Sequence, residues 1–520
     1  MAQHAGAICG PGDGSRERPD VEHPIAMDIT TLTLDARFRI GRVDPRIFGG
    51  FLEHMGRAVY EGVYDPQSRH ADAEGCRSDV LAALRALDMT VMRYPGGNFV
   101  SGYHWRDGVG PRAERPRVRE LAWQSIEPNT FGTDEYLALC RKMGWTPMLA
   151  VNLGTGTPEE ARDWVEYCNA PIGTQVADLR ARNGHPEPYG VKLWCLGNEM
   201  DGPWQLGHVP AEHYAIRAQQ AAKLMKDVDR TIETVACGSS ATFMPTYVEW
   251  DRQVLEHLGD AADYVSLHRY VDNRADEPAE FLAVGCSVDR QIEEIDAVCR
   301  MVQARRRSAK RAWLCFDEWN VWYKNMQMNG EGKHAPHLIE EIYNLEDALV
   351  VAGFLNSFVR HADVVRIANL AQVVNVIAPL VTRDDELLVQ SIYHPFRMFS
   401  QRRDGVALRV AQEGPSYRSR TYGMVPYVDA SAILGERLLH VFAVNRSTTE
   451  SAPVRIERLD RPIQAVASAE LLTGPDAKAA NSFERPDVVT ARPFEAARVR
   501  DGATSFELPP LSLVVLSLSV

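Results

Sequence analysis

Between about residues 45 and 400, short apolar runs alternate eight times with longer segments of helical period, and this alternation constrains the fold most strongly. The runs are rich in Val, Ile, Leu and aromatic residues, as buried strands are. They span residues 47–54, 91–98, 146–153, 192–199, 235–240, 264–270, 312–320 and 365–372. Helix-like segments lie between them, and two of these begin at Ser78 and Thr133 with an acidic residue directly after. Eight β–α alternations predict a closed (β/α)8 TIM barrel.

The ends of the chain have a different pattern from the barrel region. Beyond about residue 400 the helical period is lost, and short alternating runs are broken by Gly, Pro, Asp and Asn. We therefore predict a catalytic barrel over residues 45–400 and a β-sandwich domain over residues 401–520. Residues 27–44 begin with a strand-like alternation and are expected to pack with the sandwich. Residues 1–26, rich in Gly, Pro and charge, are predicted to be a disordered leader.

Composition limits the partners and the compartment. The chain has 70 Asp and Glu against 57 Lys and Arg, a formal net charge of -13, which argues against nucleic acid or an anionic membrane as a partner. Nine cysteines without a CxxC pair indicate reduced, buried thiols. No signal-peptide-like stretch or transmembrane-length apolar run is evident. These features predict a soluble cytoplasmic protein.

Polar residues close most of the predicted barrel strands. In barrels of this kind the chemistry is built at the carboxyl ends of the strands. A single polar residue there would mean little, because strand ends border loops and loops are polar. Because most of the predicted strands end in a polar residue, these residues together indicate an active site. The residues concerned are Glu53, Asn98, Asn152, Asn198, Glu199, His268, Tyr270, Glu318 and Gln372.

Two of these residues, Glu199 and Glu318, carry the functional prediction. They follow apolar runs in KLWCLGNEMDGPW and AWLCFDEWNVWY, on the fourth and seventh predicted strands. Hydrolysis of an acetal needs one group to protonate the leaving oxygen and another to attack, or to activate water, at the sugar carbon. Two carboxyl groups supply both roles without a cofactor. A separation of roughly 5 to 5.5 Å predicts retention of configuration, and roughly 6.5 to 9.5 Å predicts inversion.

The neighbours of the two glutamates suggest which role each one has. Asn198 precedes Glu199 and can bond a sugar hydroxyl beside the scissile bond, so Glu199 is predicted to be the acid/base and Glu318 the nucleophile. Arg93 and Tyr270 end other strands and are predicted to donate hydrogen bonds to Glu318. For Arg93 an ion pair in the barrel floor is an equal alternative.

Aromatic residues and histidines are further candidates for contacts at the same rim. Trp123 and Trp322 are the candidates for contact with a sugar ring, whereas Trp105, Trp204 and Trp319 are favoured less. The 15 histidines form no HxH or HExxH motif, so a metal site would need a wholly tertiary cluster, and none is predicted. His268 remains a further candidate for the site. Asp317 is expected on the opposite face of its strand from Glu318, in a structural role.

At these residues the sequence resembles the α-L-arabinofuranosidases of glycoside hydrolase family 51. The resemblance covers residues 45–400 and rests on long, specific motifs. These are FGGFLEHMGRAVYEGVYDP, RYPGGNFVSGYHWRDGVGP, AVNLGTGT, WCLGNEMDGPWQ, FDEWNVWY and LAQVVNVIAP.

The resemblance implies a retaining exo-hydrolase that removes terminal α-L-arabinofuranosyl groups from saccharides such as arabinan and arabinoxylan. It gives Glu199 and Glu318 the same roles as above and makes Arg93 and Tyr270 supports of the nucleophile. It further implies an intracellular homo-oligomer, often a hexamer, that needs no metal or other cofactor. Residues expected to bind furanose hydroxyls are Glu53, Asn98, Asn198 and Gln372.

Two rival readings stay open at this point. The first is another retaining glycosidase on the same kind of barrel, such as a β-xylosidase or an endoglucanase; Glu53 and the PGGN turn that ends at Asn98 weigh against it. The second is a sugar-binding protein that has lost catalysis. The presence of both Glu199 and Glu318 weighs against that reading.

Overall fold

The computed structural model describes residues 27–520, so the predicted leader (residues 1–26) lies outside the described residues. The first two strands are β1 (Thr30–Leu34) and β2 (Arg39–Arg42). The alternating run of residues 27–40 therefore forms parts of two strands rather than one. A turn separates them: the Asp35 carboxylate accepts a hydrogen bond from the Arg37 backbone N–H at 2.8 Å, and the Phe38 N–H donates to the Asp35 carbonyl at 3.0 Å.

The barrel region contains a closed eight-stranded barrel with two short hairpins at its side. Its strands are β3 (Gly49–Phe51), β4 (Val91–Tyr94), β5 (Val118–Arg119), β6 (Ile126–Glu127), β7 (Thr146–Ala150), β8 (Leu193–Leu196), β9 (Glu233–Ala236), β10 (Tyr264–Val271), β11 (Trp313–Val321), β12 (Val365–Ala371), β13 (Leu380–Arg383) and β14 (Glu386–Val389). The barrel closes in the order β10-β11-β12-β3-β4-β7-β8-β9, with every neighbouring pair parallel. The hairpins are β5-β6 and β13-β14. The predicted (β/α)8 barrel is confirmed.

Helices connect the barrel strands and cover the barrel. They are α1 (Ser78–Ala86), α2 (Thr133–Met143), α3 (Pro158–Asn169), α4 (Gln175–Arg182), α5 (Ala211–Val228), α6 (Glu249–Leu258), α7 (Pro278–Leu282), α8 (Gly285–Arg306), α9 (Leu345–Arg360) and α10 (Tyr393–Ser400). Short 3₁₀ turns span Pro45–Ile47, Asn98–Gly102, Trp105–Gly108, Arg112–Glu114 and Gly259–Ala261. Local sequence fixes several helix starts. The Thr157 hydroxyl caps α3, and Asn344 with Asp347 forms a reciprocal capping box at α9.

The remaining strands form the sandwich. They are β15 (Val406–Leu408), β16 (Ala411–Glu413), β17 (Ser416–Ser419), β18 (Gly423–Pro426), β19 (Val428–Leu434), β20 (Leu438–Asn445), β21 (Ala452–Arg458), β22 (Ala465–Thr473), β23 (Thr490–Pro493), β24 (Arg498–Arg500), β25 (Ala503–Leu508) and β26 (Ser512–Ser519). One sheet has the order β16-β1-β21-β25-β24 and the other β2-β15-β19-β20-β26-β22-β23, while β17 and β18 form a separate hairpin. Each of the two N-terminal strands thus joins a different sheet.

Helix α9 joins the barrel to the sandwich. Nearly every residue of α9 is buried, because one side packs on β11 and the other on β19. Asn356 and Arg360 both donate to the Asp429 carboxylate of β19 at 2.9 Å, and Arg446 lies 3.2 Å from the same carboxylate. Burial opposes the charge on Asp429, but the two guanidinium groups lower the pKa of this carboxyl group. These contacts fix the sandwich against the barrel.

Two further properties concern the helices and the cysteines. Among residues 27–520, none of the helices is both long and apolar enough to cross a membrane. The eight cysteines in that range are free thiols, and seven of them are buried.

Candidate active site

The site lies at the carboxyl ends of the barrel strands, where Glu199 and Glu318 meet. Glu199 lies three residues after the end of β8 and has a positive φ of 43°. Glu318 lies within β11 and is buried. One carboxylate oxygen of each residue and one ring nitrogen of His268 lie within 4.8 Å of one another. This proximity corresponds to the short carboxyl separation of retaining glycosidases.

Glu318 is held by donors from two other strands. Arg93 of β4 places Nη1 2.6 Å from Glu318 Oε1, and the Tyr270 hydroxyl of β10 donates to Oε2 at 2.9 Å. Burial raises the pKa of Glu318, while the positive charges of His268 and Arg93 oppose that rise. The hydrogen bonds favour the ionised carboxylate and aim it into the barrel mouth.

Arg93 connects the two glutamates through Asn198. Its Nη2 donates to Asn198 Oδ1 at 2.7 Å, and the Asn198 amide in turn donates to Gln205 Oε1 at 3.4 Å. Arg93 has no solvent exposure. Arg93 therefore forms buried ion pairs, as the alternative interpretation of this residue stated. One of its ion-pair partners, however, is Glu318 itself. Gln205, which sequence reasoning did not single out, fixes the loop after Glu199.

His268 lies between the two glutamates. Its Nδ1 is 2.8 Å from Glu199 Oε1 and 3.5 Å from Glu318 Oε2. Although burial disfavours the imidazolium form, the negative charges of Glu318 and Asp317 hold the pKa of His268 well above its usual value. His268 therefore lies between two carboxyl groups that favour its protonated form, and the structure brings it into the site as the sequence suggested.

Glu53 and the groups that donate to it form a second wall of the site, and Glu199, His268 and Glu318 form the first. The Trp123 indole N–H and the Phe99 backbone N–H donate to Glu53 Oε1 at 3.1 and 3.0 Å, and the Gln372 amide donates to Oε2 at 3.4 Å. Burial, followed by the negative charge of Glu318, raises the pKa of Glu53 to about 8. Trp123 and Gln372 are thus buried beside Glu53, and both donate hydrogen bonds to its carboxyl group.

The other predicted rim residues lie near the same opening. Asn98 is partly exposed and begins the 3₁₀ turn after β4. Trp322 is half-buried and meets the Tyr270 ring edge to face, with ring centroids 5.6 Å apart. Trp105 and Trp319 are core residues, packed on Trp164 and Phe354 respectively.

Two features of the site differ from the sequence reading. Asp317 does not face away from Glu318: its carboxylate lies 3.2 Å from Arg93 Nε and 3.3 Å from His268 Nε2. The expected alternation fails because the pairing of β11 shifts register with both neighbouring strands close to this residue. Trp204, favoured less than Trp123, donates its indole N–H to Glu199 Oε2 at 2.5 Å while remaining 45% exposed.

Within residues 27–520, one group of three side chains has the spacing of metal ligands, and it is Glu199, His268 and Glu318. A histidine nitrogen and two carboxylates form a ligand set that Zn²⁺ accepts. His268 Nδ1 lies 2.8 Å from Glu199 Oε1 and 3.5 Å from Glu318 Oε2, so the histidine bridges the two carboxyl groups. The prediction that the protein needs no metal stays a prediction.

Comparisons with known proteins agree over nearly the whole chain. The family model described as "Alpha-L-arabinofuranosidase 1 domain" matches residues 83–282, and that described as "Alpha-L-arabinofuranosidase C-terminal domain" matches residues 317–512. An "Intracellular exo-alpha-(1->5)-L-arabinofuranosidase 1" from Bacillus subtilis is 43% identical, over 94% of this chain and 98% of the relative. An "Exo-alpha-(1->6)-L-arabinofuranosidase" from Bifidobacterium longum is 39% identical, over 94% and 97%.

Solved structures show the same architecture. A family 51 α-L-arabinofuranosidase from Bifidobacterium longum has a TM-score of 0.90 and 37% identity, covering 94% of this chain and 99% of its own. An α-L-arabinofuranosidase from Thermotoga maritima, solved as an arabinose complex, has a TM-score of 0.86 and 34% identity, covering 94% and 100%. A glucanase-xylanase from a metagenome library shares the fold at 14% identity with a TM-score of 0.59.

Proposed function

The chain belongs to the α-L-arabinofuranosidases of glycoside hydrolase family 51, and we propose that Glu199 is its acid/base and Glu318 its nucleophile. The protein is a retaining exo-glycosidase that releases terminal α-L-arabinofuranosyl residues. The observation that carries the residue assignment is the approach of one oxygen of each carboxyl group to within 4.8 Å at the barrel mouth.

The first step forms a covalent glycosyl-enzyme. An ionised oxygen of Glu318 attacks the anomeric carbon, the bond from that carbon to the glycosidic oxygen breaks, and protonated Glu199 gives its proton to the leaving oxygen. Arg93 and Tyr270 support this step because their hydrogen bonds keep the Glu318 carboxylate charged and oriented.

The second step returns the enzyme to its starting state. Glu199, now ionised, takes a proton from water, and the water oxygen displaces Glu318 from the anomeric carbon. Two inversions give net retention. Trp204 and His268 both contact Glu199, so both are placed to stabilise its ionised form.

The furanose ring is proposed to lie against the second wall of the site. Asn98, Asn198 and Gln372 offer amide groups there, and Glu53 in its neutral form can both donate and accept a hydrogen bond. Trp322 supplies an apolar face beside Tyr270. Trp123 acts indirectly in this proposal, since its N–H is bonded to Glu53.

The substrates we propose are arabinose-containing oligosaccharides and polysaccharides such as arabinan and arabinoxylan. We also propose that the protein works in the cytoplasm, because relatives from Bacillus subtilis and Streptomyces lividans are named intracellular. A homo-oligomer, with a hexamer as the state that the family resemblance implies, is the proposed assembly. Exposed apolar side chains such as Phe243 and Ile342 offer surface for it, and sedimentation of the purified chain tests it.

Azide rescue tests the assignment of the two glutamates. Glu199→Ala should lose about 10²- to 10⁴-fold in rate on substrates whose leaving group needs a proton, and much less on a dinitrophenyl arabinofuranoside. Azide should then yield the α-arabinofuranosyl azide, because it attacks the glycosyl-enzyme from the Glu199 side. Glu318→Ala should be inactive, and azide should yield the β-anomer.

Other outcomes would favour the rival readings. If neither substitution changed the rate, Glu199 and Glu318 would not be the catalytic pair, and a wild type that bound arabinose without turnover would be a sugar-binding protein. Faster turnover of nitrophenyl β-D-xyloside than of nitrophenyl α-L-arabinofuranoside would favour a β-xylosidase.

A further inference from the structure

Asp317, next to the proposed nucleophile in β11, has a bonding pattern that the reaction scheme above does not use. Its carboxylate is buried, with 1% exposure. Oδ2 lies 3.2 Å from Arg93 Nε, and Oδ1 lies 3.3 Å from His268 Nε2. The Cys195 thiol, 3.9 Å from Oδ2, is the third polar neighbour. A carboxylate this deeply buried needs charged partners, and both of its partners are cations.

Each of these two cations also contacts Glu318. Arg93 reaches Asp317 through Nε and Glu318 through Nη1, and His268 reaches them through Nε2 and Nδ1. Asp317 therefore contacts one side of the Arg93 guanidinium and one side of the His268 ring, while another side of each group faces Glu318. This is the arrangement in which an outer carboxylate fixes the ring orientation and the charge of a histidine.

The charges around Asp317 and His268 support the interpretation that Asp317 orients the two cations, Arg93 and His268. Burial opposes ionisation of Asp317, but Arg93 and His268 lower the pKa of this carboxyl group below its usual range. The charged groups around the His268 ring come from three other elements. They are Arg93 of β4, Glu199 and Asp201 of the segment after β8, and Asp317 and Glu318 of β11.

We propose that Asp317 is a positioning residue that keeps His268 and Arg93 beside the catalytic pair while negative charge moves from Glu318 to Glu199. The proposal rests on the roles assigned above to the two glutamates. Before the first step Glu318 is ionised and Glu199 is protonated; after it Glu318 is a neutral ester and Glu199 is ionised. His268 Nδ1 lies 2.8 Å from Glu199 and 3.5 Å from Glu318. It can therefore contact whichever of the two carboxyl groups is ionised without rotation of the ring, provided that Asp317 holds Nε2 in place.

The test is the pH profile of Asp317→Asn. Asparagine keeps the shape and removes the charge, so kcat/KM on nitrophenyl α-L-arabinofuranoside should fall about 10²-fold, mostly through kcat. The alkaline limb of the kcat/KM profile follows the loss of the protons on the acid Glu199 and on His268, which contacts it. Removing a negative charge beside them lowers the pKa of His268, so this limb should move to lower pH. A merely structural role would lower the whole profile without moving that limb.

The matched control is Asp251→Asn. Asp251 is equally buried, but it bonds the backbone N–H and hydroxyl of Ser239 and contacts no cation of the site. The alkaline limb of the kcat/KM profile of Asp251→Asn should match that of the wild type. In a His268→Gln background, Asp317→Asn should no longer move the limb. Should Asp317→Asn not fold, His268→Gln alone must still lower kcat.

An unshifted alkaline limb in folded Asp317→Asn, or a wild-type kcat in His268→Gln, would overturn the proposal. The results also distinguish a failure of this proposal from a failure of the proposed function. An active wild type and an inactive Glu318→Ala, with a wild-type profile for Asp317→Asn, would reject only the role of Asp317. An active Glu318→Ala would reject the catalytic scheme itself.

Discussion

Arg93 Nη1 lies 2.6 Å from Glu318 Oε1, and the two side chains, from strands on opposite sides of β12 and β3 in the barrel, are both buried. The same guanidinium reaches Asn198 Oδ1 and Asp317 Oδ2. One side chain thus sets the relative positions of three groups that come from two other strand ends. A planar fork with several fixed donors can do this, whereas a single ammonium group cannot.

The first prediction concerns Arg93→Lys. Lysine keeps the charge but cannot bond all three partners, so Glu318 and Asn198 should lose their fixed geometry. We expect kcat/KM on nitrophenyl α-L-arabinofuranoside to fall about 10²-fold. Arg180→Lys is the control, because Arg180 is as deeply buried but donates to backbone carbonyl groups of the α3–α4 region. Equal losses in both variants would show that burial of the arginine, rather than its contact with Glu318, matters.

The second prediction concerns Tyr270→Phe, which removes the hydroxyl donor at 2.9 Å from Glu318 Oε2. A hydrogen bond to a charged group contributes about 1.5 to 3 kcal/mol, so kcat should fall about 10- to 150-fold with little change in KM. Tyr343→Phe removes a buried hydroxyl that donates to the Val321 carbonyl and should leave kcat near the wild-type value. Steady-state kinetics would contradict the prediction if the kcat of Tyr270→Phe matched that of Tyr343→Phe.

Most of the barrel could be predicted from the sequence because its signal is local. Each strand is an apolar run, each helix has its own period, and polar side chains at strand ends must meet once the barrel closes. The pair Glu199 and Glu318 follows from that argument. Their separation does not, because it depends on how far each side chain turns into the mouth.

The features that sequence reasoning missed depend on contacts between distant segments. Asp317 departs from the predicted alternation because the register shifts of β11 arise from its pairing with β10 and β12. Trp204 reaches Glu199 only because the loop after β8 folds back, with the Gly202 N–H donating to the Glu199 carbonyl. Neither the period nor the residue types of a single strand carry this information.

The third prediction concerns the pH dependence of stability and Glu53. The pKa of Glu53 is raised from 4.5 to about 8 in the folded protein, so folding favours its neutral form. The stability from this group is complete below pH 4.5 and is lost as the pH rises towards about 8, a change on the order of 5 kcal/mol. Glu53→Gln cannot ionise, so its melting temperature should rise relative to the wild type across that range.

Exposed Glu436→Gln is the control for Glu53→Gln, and its melting temperature should follow the wild type at every pH. Thermal unfolding of the three proteins in a series of buffers makes the comparison. A constant difference between Glu53→Gln and the wild type would mean that Glu53 does not titrate between the two pH values.

The last prediction concerns Gly97, which lies between the two walls of the site. A Cβ atom at this position would stand 3.0 Å from both Glu318 Oε1 and Glu53 Oε2. We expect Gly97→Ala to lower kcat/KM about 10²-fold, because the methyl group displaces both carboxyl groups and enters the sugar site. Gly353→Ala in α9, where an added Cβ meets no atom within 4 Å, should keep full activity. Wild-type kinetics for Gly97→Ala would place the sugar elsewhere.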